Sequence, residues 1–130
     1  MNDFETICQL IEQFHINKTI ITENELEINL TNYLRQNNLK VTTQQRVNST
    51  TRNDIVVKLN GKTMCIELKK TADLSCMKQL DKYLDFYNDG LILVCWKASE
   101  NVRRVFQRVQ SLYISIPTKL IELREYQTIV

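Results

Sequence analysis

A single histidine, His15, leaves this chain unable to build several familiar active sites. Zinc centres made from several histidines are excluded, as are most Ser–His and Cys–His schemes of nucleophilic catalysis. Four cysteines, Cys8, Cys65, Cys76 and Cys95, lack the close spacing of zinc or redox pairs. Cys65 and Cys95 fall inside apolar runs, where a reduced thiol packs as a small hydrophobe. With two glycines and one proline among 130 residues, there is no linker-like stretch, repeat or low-complexity segment. One domain over residues 1–130 is expected, a size typical of domains, which cluster around ~100–150 residues. No apolar run approaches the ~18–20 residues of a membrane span. The polar start "MNDFETICQ" is no secretory signal, so the expectation is a cytoplasmic protein with no membrane partner. Carboxylates and lysine remain as the available chemistry.

A net charge of +2 is too small to indicate nucleic acid by itself. Lys69, Lys70, Lys78, Lys82, Lys97, Arg103, Arg104 and Arg108 nevertheless all lie beyond residue 68. Such a distribution suits a phosphate-facing surface, and equally a set of solvated helix faces.

Periodicity supplies the elements. In "FETICQLIEQFH", Phe4, Ile7, Cys8, Ile11 and Phe14 share one helical stripe. A second helix starts at Thr22, where Glu25 completes a capping box, and stops at Asn37-Asn38. "KVTTQQRV" reads as a strand, and residues 53–69 as a hairpin turning at Asn60-Gly61. A helix is expected from about Ser75 to Asn88, and "GLILVCW" as a strand covered on both faces. "SENVRRVFQRVQ" is a basic amphipathic helix with Val102, Val105, Phe106 and Val109 inward. "LYISI" reads as a last strand stopped at Pro117, and the tail from Thr118 is ambiguous. The resulting fold class is α/β: a mixed sheet with a central β-meander, sandwiched by helices.

The hairpin focuses the functional question. An Asn-Gly loop favours a two-residue type I′ turn, which sets Leu59 opposite Lys62 and Asp54 opposite Glu67. Lys69, two residues beyond Glu67, shares that face. Ile55, Val57, Leu59, Met64, Ile66 and Leu68 point the other way as a core layer. Two opposed carboxylates repel, and a bound hard cation such as Mg²⁺ removes the conflict. The bland alternative is a surface ion pair between Asp54 and Lys69 beside an ordinary exposed Glu67.

Helical residues offer additions. Glu23 lies over the Leu26, Leu30 and Leu34 stripe, which suits either a reach toward the sheet or simple complementation of the helix dipole. Gln79 and Tyr83, spaced i, i+4, share a helix face, as core-edge groups or as contacts to a nucleic-acid backbone.

With these residues the chain resembles the PD-(D/E)xK nuclease superfamily, the restriction-endonuclease-like fold with an αβββαβ core. The matching pieces are Asp54 in "RNDIVV", the step to Glu67, and "IELKK" with Lys69. "ENELEINL" is similar to the leading helix of archaeal Holliday-junction resolvases, which maps Glu23 onto their metal-assisting acid. "QLDKY", Gln79 to Tyr83, is similar to the Gln-x-x-x-Tyr element of RecB-like nucleases. The resemblance covers about residues 22 to 96; Asn53 replaces the usual proline, and "NSTT" replaces the resolvases' Gly-rich basic loop.

The resemblance implies a divalent-metal-dependent deoxyribonuclease. Asp54 and Glu67, with the Leu68 carbonyl and Glu23, would hold Mg²⁺ or Mn²⁺. Lys69 would assist the attacking water, and Lys70, Lys78, Lys82, Arg103 and Arg104, with Gln79 and Tyr83, would contact DNA. A homodimer or larger nuclease complex is expected to supply specificity. The competing function is a non-catalytic DNA- or protein-binding module on the same fold.

Overall fold

Asn60 (φ +52°) and Gly61 (φ +78°) both adopt left-handed backbone, the conformation of a type I′ turn. In this computed structural model, which describes residues 2–15, 22–43, 55–72, 89–112 and 114–123, that turn joins β2 (Ile55–Leu59) to β3 (Lys62–Ala72). Leu59 stands opposite Lys62 and Ile55 opposite Ile66, the register expected from the turn. β1 (Lys40–Thr43) pairs antiparallel with β2 and completes the meander. β4 (Leu91–Ala98) and β5 (Thr118–Glu122) add in parallel, giving a five-stranded mixed sheet in the order β1-β2-β3-β4-β5.

Three helices flank the sheet among the described residues: α1 (Asp3–Glu12), α2 (Glu23–Gln36) and α3 (Glu100–Leu112). The fold is α/β. The expected helix from Ser75 to Asn88 lies outside the described residues, as does the continuation of β1 beyond Thr43. Among the described residues, no helix is long and apolar enough to cross a membrane.

Local chemistry fixes the helix ends. Asn2 caps α1, accepting from the Glu5 amide at 2.8 Å. Thr22 caps α2: its hydroxyl accepts from the Glu25 amide at 3.1 Å and donates to the Glu25 carboxylate at 3.0 Å. Asn38, at φ +67°, provides the left-handed residue after the last turn of α2. Tyr33 ties α2 to α1 by donating to the Leu10 carbonyl at 2.7 Å.

Strand alternation sorts the core into two layers. On one face Ile55, Val57, Met64, Ile66, Leu68, Ile92 and Val94 pack beneath Ile7 and Ile11 of α1 and Leu26, Leu30 and Leu34 of α2. On the other, Cys65, Leu91, Leu93 and Cys95 pack beneath Val102 and Phe106 of α3. Each fully buried Leu or Ile contributes about 1.5–3 kcal/mol by leaving water, and both layers hold such residues. Gly90 admits α1 to this arrangement: a Cβ there would lie 2.6 Å from the Phe4 ring.

The described residues of "LYISI", Leu112 and 114–116, do not form the expected strand. Leu112 ends α3, Ile114 is 87% exposed, and the last strand among the described residues begins after Pro117 rather than before it. Helical periodicity from Val102 through Phe106 and Val109 carries α3 into that run. Pro117 can immediately precede a strand because there it need not donate a ladder hydrogen bond; its carbonyl accepts from Leu91.

Candidate functional site

β3 brings the sheet's chemistry to one point. Its even-numbered residues Met64, Ile66 and Leu68 face α1 and α2, whereas Cys65 faces α3. Glu67 pairs with Leu93 and Lys69 with Cys95, so both side chains belong to the α3 side. Glu67 is 1% exposed, which removes the alternative of an ordinary surface glutamate. The Lys69 ammonium lies 3.8 Å from Glu67 Oε1. A buried carboxylate is tolerated only beside compensating charge or donors, and Lys69 is such a charge.

Asp54 lies outside the described residues, so its expected position opposite Glu67 is not placed. Lys78, Gln79, Lys82 and Tyr83 also lie outside them, as does the side chain of Lys70, whose backbone is in β3. Glu23 begins α2 and is half-buried. Its helix covers the sheet face opposite to that of Glu67. Leu68, the expected source of a carbonyl ligand, packs its side chain on the α1/α2 side.

Arg103 and Arg104 are both engaged within the chain. Arg103 donates to Glu122 Oε1 at 2.7 Å, and the same oxygen accepts from the Ala98 amide at 2.8 Å. Arg104 pairs with Glu100 at 2.8 Å, one helical turn away. Burial pushes the Glu122 carboxyl upward, but the Arg103 hydrogen bond and the Ala98 N–H outweigh it and hold the group below its ordinary value. Arg103 is correspondingly shifted upward by its hydrogen bond to Glu122. This three-way junction of β4, α3 and β5 has no sequence motif; only the fold brings residues 98, 103 and 122 together.

Two other features bear on chemistry. Burial pushes the Cys8 thiol up to about 12, so it is no nucleophile at neutral pH. A cleft of about 720 Å³ is lined in part by Phe14, Trp96, Lys97, Arg103, Lys119 and Glu122. Its cations are largely balanced, since Arg103 meets Glu122 and Lys119 lies 3.9 Å from Glu12.

Among the described residues, no three His, Cys, Asp or Glu side chains cluster as a metal site. Glu67 fits a hard divalent ion in donor type, since a buried carboxylate offers oxygen. One carboxylate is not a ligand set, and Asp54, expected as its companion, lies outside the described residues.

The chain matches no protein-family model and no curated protein by sequence. Its fold is similar to that of EndoMS, solved in apo form, with a TM-score of 0.57 at 16% identity. The alignment covers 82% of this chain and 48% of the EndoMS chain, so this chain spans about half the length of that protein.

Proposed function

We propose that this chain is a divalent-metal-dependent DNA nuclease that hydrolyses phosphodiester bonds. The observation that carries the reading is the buried Glu67 carboxylate with the Lys69 ammonium 3.8 Å away on the same face of β3. Further support comes from the hairpin register, which holds through every described pair up to Ile55 and Ile66, the step before Asp54. A fold similar to that of EndoMS, an endonuclease by its name, agrees with it. So does the resemblance of "IELKK" and its flanks to PD-(D/E)xK nucleases.

In this reading Asp54 and Glu67, aided by the Leu68 carbonyl and Glu23, hold Mg²⁺ or Mn²⁺. Such an ion, when bound, lowers the pKa of a coordinated water and neutralises charge on the scissile phosphate. Lys69 orients the attacking water or stabilises charge developing on the phosphoryl oxygens. Glu67, shielded from bulk solvent, presents its charge where it is least screened. Lys70, Lys78, Lys82, Gln79 and Tyr83 hold the DNA backbone. Arg103 and Arg104 contribute only by leaving or sharing their carboxylate partners. Specificity comes from a second copy of the chain or from a larger assembly.

The test is a panel of labelled DNAs, linear, nicked, flapped, four-way and single-stranded, incubated with Mg²⁺ or Mn²⁺. At least one is cut by the native chain, and none by Glu67→Ala or Lys69→Ala variants that retain their circular dichroism. Cleavage unchanged in either variant defeats the assignment, and binding of DNA without cleavage by the native chain favours the non-catalytic module.

A further inference from the structure

The pair formed by Glu67 and Lys69 has a consequence for how the site is loaded. The Glu67 side chain is 2% exposed and that of Lys69 is 18% exposed. Their register partners, Leu93 and Cys95, are fully buried, and Cys65 continues the same apolar row. The ammonium therefore compensates a carboxylate in a poorly screened layer, where a nearby charge acts strongly. A divalent cation approaching the same oxygens brings two positive charges into the space beside that ammonium.

We infer that Lys69 is the resting counter-ion of Glu67 and competes with the divalent cation for its carboxylate, so that metal loading and release of the ammonium are one coupled event. The inference rests on the metal-binding reading proposed above. Lysine suits the exchange, since its charge sits on a flexible four-carbon stem and its partial exposure gives it a way outward. Once displaced from Glu67, the ammonium is available to a phosphate oxygen. Loading thereby changes Lys69 from a partner of the carboxylate into a partner of the substrate.

This arrangement predicts opposite signs for affinity and activity. Removing the positive charge at residue 69 strengthens metal binding while cleavage is lost, which a purely structural lysine would not produce. The experiment is calorimetric titration of Mn²⁺ into the full chain at mildly alkaline pH, where carboxylates are ionised. Native protein is compared with Lys69→Met, Lys69→Arg and Glu67→Gln. Lys69→Met binds Mn²⁺ about tenfold more tightly than native, the consequence of removing one like charge close to the ion. Lys69→Arg, which keeps the charge, binds near the native affinity, and Glu67→Gln loses binding. If Lys69→Met does not fold, Lys69→Gln keeps a hydrogen-bonding group without the charge and carries the same expectation. Native-like or weaker binding by the uncharged variants, with binding still lost in Glu67→Gln, overturns the inference and leaves the metal-site reading standing. Equal Mn²⁺ binding by native protein and Glu67→Gln, or none by either, overturns both.

Discussion

The two faces of this sheet are built on different terms. Beneath α1 and α2, β2, β3 and β4 present an unbroken apolar layer, from Ile55 and Val57 through Met64, Ile66 and Leu68 to Ile92 and Val94. Beneath α3 the layer holds Cys65, Leu91, Leu93 and Cys95, and β3 interrupts it with Glu67 and Lys69. One strand thus serves both purposes, Met64, Ile66 and Leu68 filling a core while Glu67 and Lys69 carry charge. A desolvated ion pair contributes little net stability compared with well-packed apolar side chains. The face that gives up packing is therefore the face where chemistry is to be sought.

Substitutions on the two faces test this contrast. The largest effect is on cleavage: Glu67→Gln and Lys69→Ala each lower the single-turnover rate on the DNA that the native chain cuts by about 10³-fold or more. Next comes the apolar face, where Leu30→Ala, removing a fully buried side chain, costs about 2–5 kcal/mol in urea unfolding. Its cleavage per folded molecule stays native-like. A smaller change of opposite sign is expected for the double variant Glu67→Met, Lys69→Met, which gains about 1 kcal/mol in the same assay while losing all cleavage. If that double variant were as damaged as Leu30→Ala, the two faces would be doing the same job and the contrast would fail.

The smallest effect belongs to the junction at Glu122. Glu122→Gln costs about 0.5 kcal/mol, discounted because its side chain is about a third exposed. Because the folded state holds this carboxyl below its ordinary value of 4.5, its contribution is fully present above that pH. The contribution is lost as pH falls further, through the folded value. Unfolding curves of native and Glu122→Gln protein should therefore converge in acid below pH 4.5. Divergence in acid would mean that the carboxylate is not the stabilising form.

Legibility from sequence followed the range of the interactions. The Asn60-Gly61 turn is local and fixed the register of β2 and β3 as expected. The capping residues of α2 are local too, as is the continuous apolar run that becomes β4, buried on both faces. "LYISI" misled because a five-residue apolar run carries no period long enough to separate helix end, loop and strand. Its large side chains Leu112 and Ile114 are exposed, contrary to what apolar character suggests. At the site, the shared face of Glu67 and Lys69 followed from alternation, but the burial of Glu67 did not, since covering layers are a tertiary matter. The layer occupied by Glu23 was hidden for the same reason. Helical spacing placed it with Leu26 and Leu30 without saying which face of the sheet those leucines cover. Arg103 and Glu122 sit on different elements, and no spacing rule connects them.

Whether Asp54 joins Glu67 in holding one cation is read from the shift in Tm that Mn²⁺ produces. A shared cation raises the Tm of the native chain and of neither Asp54→Ala nor Glu67→Gln. The same rise in all three proteins would contradict it.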